Sequence, residues 1–221
     1  MAKKQAKAKE NIVVFCAHND DQVLGAGGTL AKYARQGHNI ITVIFSYGES
    51  SHPWLKKRIT IEMRVKESLR ADKIMNGKRI FYLGLKEGKF NKEIEDKKIK
   101  DKIMRIIKIV KPEKIFTHSR DDPHPDHRAV NSVIKELTKK IQYKGEVYAF
   151  DVWNPISIKN RNMPKLVVDI SSTFHIKVKA FKEHKSQKLT MLFMMPLIYA
   201  KAMLNGLKYG FRYAEVFYKI N

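Results

Sequence analysis

The sequence predicts an α/β fold of the three-layer Rossmann-like class, with a mainly parallel sheet and helices on both faces. Short apolar runs rich in β-branched residues alternate with longer stretches whose apolar residues recur at helical spacing. This alternation is typical of βαβ units, in which helices cover both faces of a parallel sheet. The chain has 221 residues, 43% of them hydrophobic, which is enough for one domain of ordinary size with its own core.

The individual elements follow from local patterns. The first strand contains the continuous apolar run Ile12-Val13-Val14-Phe15. The glycines Gly25, Gly27 and Gly28 are expected to loosen the backbone, so the first helix is predicted to begin at Thr29. The predicted strands cover residues 11–17, 40–45, 79–83, 114–117, 147–153 and 166–170. The predicted helices cover residues 29–36, 54–75, 94–110, 129–141 and 173–188. We predict a basic tail over residues 1–10 and a single domain over residues 11–221.

The strongest global anomaly is the net charge of +22, from 44 Lys and Arg against 22 Asp and Glu. Three interpretations compete: nucleic-acid binding, attraction to an anionic membrane surface, and lysines that simply solvate helix faces. No RNA-binding motif and no compact basic–aromatic cluster accompanies the charge, which disfavours nucleic acid as a partner. The single cysteine, Cys16, cannot form an internal disulfide, and residues 1–9 lack the apolar region of a signal peptide, so a cytoplasmic protein is expected.

The longest apolar stretch covers residues 189–204 and is interrupted by Pro196 and Lys201. It is shorter than the roughly 20 residues that a membrane-spanning helix needs. Two interpretations stay open: an ordinary core helix, or an exposed surface that holds the protein peripherally at the inner face of an anionic membrane.

Candidate metal-ligating residues follow two predicted strands. Ala17-His18-Asn19-Asp20-Asp21-Gln22 comes after the first strand, and His124-Pro125-Asp126-His127 comes after the fourth. Because open α/β sheets place ligands at the carboxyl ends of their strands, imidazoles and carboxylates from both segments can meet there. His18, Asp21 and His127 are suited to one zinc ion, or another divalent metal, that keeps an open coordination position. Asp20 would then be free to accept a proton. Taken singly, each motif also fits a capping or solvated role.

Several separated motifs resemble those of the PIG-L/LmbE-like N-acetylglucosamine deacetylases, in the same order and over residues 11 to about 217. They are Ala17-His18-Asn19-Asp20-Asp21, Gly25-Ala26-Gly27-Gly28-Thr29-Leu30, Gly37-His38, Ser46-Tyr47-Gly48-Glu49, Arg64-x-x-Glu67, Leu83-Gly84-Leu85, His124-Pro125-Asp126-His127, Asp169-Ile170-Ser171, Lys179-Ala180-Phe181, His184-Lys185-Ser186-Gln187 and Tyr213-Ala214-Glu215-x-Phe217. Two positions depart from the family pattern: Gln22 stands where Glu is frequent, and Asn19 where Pro is common.

The resemblance implies zinc held by His18, Asp21 and His127, with Asp20 as general base. It implies that His124 stabilises the tetrahedral intermediate or protonates the leaving amine. Arg64 would bind the substrate or position Asp20, unless it is a surface arginine paired with Glu67. Asp126 would orient a histidine, since ligating imidazoles need an acceptor for their other N–H.

The implied reaction is hydrolysis of an N-acetyl group on a GlcNAc-containing conjugate, with a lipid-linked conjugate among the candidates. Two alternatives stay open at this point: an amidase that acts on another sugar or thiol conjugate, and a basic nucleic-acid-binding protein on an α/β scaffold.

Overall fold

The structure is a computed structural model that describes residues 9–153 and 163–221. The predicted basic tail lies outside the described residues, except for Lys9 and Glu10. The strands are β1 (Asn11–Cys16), β2 (Asn39–Ser46), β3 (Arg79–Leu85), β4 (Lys114–His118), β5 (Glu146–Phe150), β6 (Lys165–Asp169) and β7 (Ala214–Lys219). The α-helices are α1 (Asp21–Arg35), α2 (Lys57–Ile74), α3 (Phe90–Glu93), α4 (Lys97–Val110), α5 (Pro125–Lys140), α6 (Phe174–Phe181) and α7 (Lys188–Tyr209).

The strands form one sheet in the order β3-β2-β1-β4-β5-β7-β6. The five strands β1 to β5 pair in parallel, whereas β7 runs antiparallel to both β5 and β6. The mainly parallel sheet predicted from the sequence is therefore confirmed. The sequence patterns gave no strand at β7, which enters the sheet between β5 and β6 after the whole of α7.

Side chains of β1 divide between two cores, which shows that both faces of the sheet are covered. Ile12, Val14 and Cys16 pack into a core with residues of α1, α6 and α7. Val13 and Phe15 point the other way, into a core with residues of α4 and α5. Because successive side chains of a strand point to opposite faces, the continuous apolar run in β1 is what a doubly covered strand requires. The three-layer prediction is confirmed.

Two helices begin earlier than predicted, and both shifts bring site residues onto helix N-termini. The predicted start of α1 at Thr29 is wrong, because α1 begins at Asp21 and contains the glycines that were expected to break it. Gly25 serves close packing instead, since a Cβ atom there would overlap the ring of Phe150. Helix α5 begins at Pro125 rather than at residue 129, with proline in the first turn, where its missing N–H costs nothing.

Other boundaries differ for local reasons. The predicted strand over 147–153 ends at Phe150, because the backbone N–H groups of Val152 and Trp153 face the carboxylate of Asp122, at 3.3 and 3.4 Å. The predicted helix over 94–110 begins at Lys97, where the Asp96 carboxylate accepts a capping hydrogen bond. The predicted helix over 173–188 ends at Phe181, and a turn of 3-10 helix over Lys185–Gln187 leads into α7.

Helix α7 is longer than the apolar stretch that indicated it. The segment Lys185–Tyr209 is long and apolar enough to cross a membrane, judged by length and composition alone. The apolar stretch over residues 189–204 is too short to span a membrane, as expected, but the whole segment Lys185–Tyr209 is long enough. Only one stripe of α7 is buried, formed by Met194, Ile198, Ala202 and Gly206. Neither interpretation from the sequence fits completely, because one side packs as a core helix does and the other is exposed.

Candidate metal centre

The candidate site lies where β1 and β4 end. These strands pair in parallel, with Val14 opposite Phe116, so their following loops meet at one edge of the sheet. His18 lies in the loop after β1, Asp20 is the N-cap of α1, and Asp21 is the first residue of that helix. His127 lies in the first turn of α5, which follows β4.

The structure brings His18, Asp21 and His127 together, with one possible ligand atom of each within 4.8 Å of the others. His18 Nδ1 lies 3.2 Å from His127 Nε2. The two oxygens of the Asp21 carboxylate lie 3.6 Å from His18 Nδ1 and 3.4 Å from His127 Nε2. Asp21 and His127 are buried, whereas His18 is partly exposed. Two imidazole nitrogens and one carboxylate therefore converge on one point, with access from one side.

The electrostatics of this cluster favour a cation. Burial lowers the pKa of His18, but the carboxylates of Asp126 and Asp21 outweigh it and raise the pKa to about 9. Burial also opposes ionisation of Asp21, yet His127 and His118 hold the pKa of its carboxyl well below the usual range. The surroundings thus stabilise positive charge where the donor atoms converge. Imidazole and carboxylate donors in this setting fit a divalent metal such as zinc.

Two carboxylates contact the outer nitrogens of the candidate ligands. Asp126 Oδ2 lies 3.4 Å from His18 Nε2 and accepts a hydrogen bond from the Gly88 amide. Asp122 Oδ1 lies 3.0 Å from His127 Nδ1, with both side chains fully buried. Asp126 was the residue expected to orient a histidine, whereas the motifs gave no indication of Asp122. Such contacts fix which ring nitrogen faces the ligand site.

A third histidine, His118, was also not predicted. It is the last residue of β4, and its Nε2 lies 3.2 Å from Asp21 Oδ2 and 3.0 Å from the Ala17 backbone nitrogen, which donates to it. Burial lowers the pKa of His118 to about 4, and neighbouring His127 adds to the effect. A neutral His118 thus packs behind the cluster. The signal that could have found it is its position at the end of a strand beside the strand of His18.

Asp20 and Arg64 form a buried pair at the same site. Arg64 Nη2 lies 3.6 Å from Asp20 Oδ2, and Arg64 Nη1 lies 3.7 Å from Glu67 Oε2. Both arginine and glutamate are buried, so the interpretation of Arg64 as a surface residue is wrong, although its contact with Glu67 exists. Glu67 in turn accepts two hydrogen bonds of 2.7 Å from Ser186, one from the amide and one from the hydroxyl.

The loop after β2 closes over this pair. Gly48 adopts a φ of +79°, and a Cβ atom there would lie 2.8 Å from Asn19 Nδ2 and 3.1 Å from Arg64 Nε. Glycine is therefore required both by the backbone conformation and by the close approach. Asn19 is held by the hydroxyl of Tyr82, which donates to its Oδ1 at 2.9 Å, so the absence of proline leaves this loop anchored.

The buried amide of Gln22 makes the amide hydrogen bonds expected in place of a carboxylate. Its Nε2 donates to the Asn19 carbonyl at 3.2 Å and to the Ser68 hydroxyl at 3.4 Å. The substitution of Glu by Gln is therefore accommodated without an unpaired buried charge.

His124 lies beside both candidate histidine ligands, at the N-cap of α5. Its ring centroid is 4.9 Å from that of His18 and 4.7 Å from that of His127. Its Nδ1 accepts a hydrogen bond from the Asp126 amide, which places the proton of the neutral ring on Nε2. Burial, together with His18 and His127, lowers the pKa of His124. His124 can thus present an N–H donor to a ligand.

The candidate ligands lie in an open cleft of about 480 Å³. Its walls come from the loops after β1, β2, β3 and β4, with Trp153 and the start of α7 on one side. His18, Asp20, Asp21, Arg64, His124 and Asp126 all line it. His127 lies beneath, fully buried. A small ligand can therefore reach the converging donor atoms from the cleft.

This fold and this convergence of histidine and carboxylate donors are typical of an enzyme that binds a divalent metal at the edge of an α/β sheet. The chain matches the family described as PIG-L, GlcNAc-PI de-N-acetylase, over residues 13–138, more than half of its length. The chain therefore belongs to the PIG-L family, and its class is that of the metal-dependent hydrolases that act on amides.

The chain is also similar to individual proteins whose names give different activities. The chain is 29% identical over 195 residues to a probable N-acetyl-α-D-glucosaminyl L-malate deacetylase 2 of Bacillus cereus, covering 83% of this chain and 86% of the relative. It is 28% identical over 196 residues to the 4-oxalmesaconate hydratase of Pseudomonas putida, covering 79% and 72%. The solved N,N'-diacetylchitobiose deacetylase from Pyrococcus horikoshii superposes with a TM-score of 0.81 at 22% identity, covering 97% of this chain and 85% of the other, which shows the shared fold.

Proposed function

We propose that this protein is a zinc-dependent deacetylase that removes the N-acetyl group from a GlcNAc-containing conjugate in the cytoplasm. The observation that carries the proposal is the convergence of His18, Asp21 and His127 within 4.8 Å at the floor of the cleft. Membership of the PIG-L family and the similarity to a probable N-acetylglucosaminyl malate deacetylase support the N-acetyl group as the target.

His18, Asp21 and His127 are the residues that would hold the metal. When bound, a divalent ion supplies Lewis acidity and lowers the pKa of water. Asp126 and Asp122 keep the outer nitrogens of the two histidines engaged, at 3.4 and 3.0 Å, so that the inner nitrogens stay available. Zinc suits two imidazoles and one carboxylate, although another divalent metal would accept the same donors.

Asp20 acts as the general base, taking a proton from the attacking water at its carboxylate. Arg64 Nη2 lies 3.6 Å from Asp20 Oδ2 and orients this carboxylate, and Arg64 can also contact the substrate, because both side chains line the cleft. His124 Nε2–H donates a hydrogen bond to the amide oxygen as negative charge develops there, or His124 passes the proton taken up by Asp20 on to the amine nitrogen as it leaves. Asp20, His124 and the ligands His18 and Asp21 thus line the same cleft, with His127 beneath them.

The sugar conjugate itself is the part of the proposal that rests on the relatives. The relatives named as deacetylases act on N-acetylglucosaminyl malate and on diacetylchitobiose, and the family description names GlcNAc attached to phosphatidylinositol. N-acetylglucosamine is common to these compounds, while the attached group varies from a small acid to a lipid. We therefore propose N-acetylglucosamine as the recognised unit, with a lipid-linked conjugate among the candidates.

Acetate release tests the proposal. The zinc-loaded protein is incubated with a panel that contains GlcNAc-malate, diacetylchitobiose, GlcNAc-phosphatidylinositol and a GlcNAc thiol conjugate, and acetate is measured. Release from at least one member, abolished by chelation and by His127→Ala, is expected. No acetate from any member would overturn the proposal. Because one relative is named 4-oxalmesaconate hydratase, hydration of 4-oxalmesaconate is measured in parallel, and turnover only there would replace the deacetylase with a hydratase.

A further inference from the structure

Helix α7 carries an apolar surface on the side that faces away from the protein. Leu189, Phe193, Leu204 and Leu207 are 70, 65, 64 and 75% exposed. Leu192, Leu197 and Met203 are also exposed. At 100° per residue these side chains cluster opposite the buried stripe of Met194, Ile198, Ala202 and Gly206. We call this set the outer face of α7. This arrangement is the reverse of the usual one, because a surface helix normally turns its polar side to water.

The buried stripe fixes α7 to the rest of the fold. Met194, Ile198 and Ala202 belong to the core that also contains Phe217 of β7. At the end of the helix, Gly206 lies under the Phe211 and Arg212 carbonyl oxygens, which a Cβ atom there would meet at 2.6 and 2.7 Å. A helix packed in this way cannot cross a bilayer unless it loses its contacts with the rest of the fold. Its outer face can only lie along a surface.

The charges around the outer face indicate what kind of surface it lies against. Residues 184–214 contain no Asp or Glu. Between residues 189 and 207 the one charged side chain, Lys201, is turned back to the fold, where its Nζ donates to the Asp151 carbonyl at 2.9 Å. Exposed Lys185 and Lys188 precede the outer face, and exposed Lys208 and Arg212 follow it.

An apolar strip with cations at both ends is the pattern of a helix that lies in the interface of an anionic bilayer. A second copy of this chain fits less well, because each copy carries a net charge of +22. Two such surfaces would bring like charges together, whereas anionic headgroups would neutralise them.

We propose that the outer face of α7 docks this protein on anionic lipid bilayers. The apolar side chains enter the boundary between headgroups and acyl chains, and the flanking Lys and Arg side chains contact the headgroups. The start of α7 also lines the cleft, through Gln187 and Thr190, so the docked protein holds the cleft beside the membrane. The docking follows from the surface of α7 and does not depend on the identity of the substrate.

Vesicle cosedimentation tests the proposal. The full chain is mixed at low and high salt with vesicles made from equal parts of phosphatidylcholine and phosphatidylglycerol, and with vesicles of phosphatidylcholine alone. Binding to the anionic vesicles is expected, weaker at high salt and on the neutral vesicles. The double variant Phe193→Gln, Leu204→Gln is expected to bind at least about tenfold more weakly, because both changed side chains lie in the outer face.

A matched double variant provides the control. Ile109→Gln and Leu69→Gln change two side chains that are 73 and 50% exposed on α4 and α2, and vesicle binding is expected to stay as in the wild type. Three results would overturn the proposal: no binding of the wild type to anionic vesicles; equal loss of binding in both double variants; or a stable oligomer, seen by light scattering without lipid, that Phe193→Gln, Leu204→Gln dissociates. The last result would identify the occupant as a second copy.

Discussion

The contact between Asp122 and His127 gives the most specific test of how the site is built. Asp122 Oδ1 lies 3.0 Å from His127 Nδ1, and both side chains are fully buried. Replacing Asp122 with Asn keeps the size and removes the negative charge. We expect the variant to bind zinc about 10- to 100-fold more weakly, because His127 loses the partner that fixes its outer nitrogen.

The magnitude is taken from the contact that is lost, 3.0 Å between an imidazole nitrogen and a carboxylate oxygen, at the strength of a hydrogen bond to a charged group. A hydrogen bond to a charged group contributes about 1.5–3 kcal/mol, and each 1.4 kcal/mol corresponds to about a factor of ten in affinity. Asp122 also faces the backbone N–H groups of His124, Val152 and Trp153. Since all of its partners donate, an Asn amide nitrogen must face at least one donor. The variant is therefore expected to lose stability as well.

Zinc affinity is measured by competition with a chromophoric chelator, and thermal unfolding shows that the protein is folded at the assay temperature. Asp121→Asn is the control: the neighbouring carboxylate has an oxygen 3.8 Å from Arg120 Nε and is not part of the candidate cluster. A folded Asp122→Asn protein whose zinc dissociation constant stays within about twofold of the wild type would refute the reasoning.

Three further predictions concern stability. Burial raises the pKa of Asp72 to about 6, so the free energy of unfolding of the wild type should fall as pH rises from about 4 to 6. The variant Asp72→Asn should be more stable than the wild type by up to about 3 kcal/mol above pH 6 and by little below pH 4, as measured by urea unfolding across pH. Gly25→Ala should cost about 1–3 kcal/mol by forcing a Cβ atom into the Phe150 ring, measured by thermal unfolding. Glu215→Gln should cost about 3–5 kcal/mol, measured by urea unfolding at neutral pH, because Lys177, 2.6 Å away, would be left as a buried unpaired charge.

Each of these predictions has a clear contradiction. A constant difference between Asp72→Asn and the wild type across the pH range would show that the carboxyl titrates as an exposed one. An unchanged melting temperature for Gly25→Ala would mean that the helix can move away from Phe150. Full stability of Glu215→Gln would mean that Lys177 reaches another acceptor or water.

The strands could be predicted because a strand that is buried on both faces has apolar residues at consecutive positions. The run Val13-Val14-Phe15 is apolar at every position, since its side chains enter both cores. The start of α1 could not be predicted in this way, because Gly25 has a different cause. It lies in the helix to admit the Phe150 ring, a contact between residues 125 positions apart in the sequence. Strand β7 was missed because the predicted alternation of strands and helices contains no antiparallel insertion.

The candidate ligands could be proposed because His18, Asp21 and His127 follow the ends of two strands that lie side by side. The residues that contact these ligands from behind, Asp122 and His118, were not predicted from the sequence. Asp122 reaches His127 only because the loop before α5 folds back, and the sequence motifs contain no sign of that turn. His118 is the last residue of β4, and His18 follows the end of β1. The rule that ligands lie at the carboxyl ends of neighbouring strands located His18 and could also have located His118.

The central claim, that Asp20 performs chemistry at a metal centre held by other residues, is tested most directly by one paired measurement. Asp20→Asn and wild-type protein are compared for zinc content by elemental analysis and for kcat of acetate release from the best substrate of the panel. The account predicts equal zinc content, and a kcat reduced by about 10²–10⁴-fold, because Asn cannot accept the proton. Unchanged kcat with normal zinc, or loss of zinc from Asp20→Asn, would contradict it.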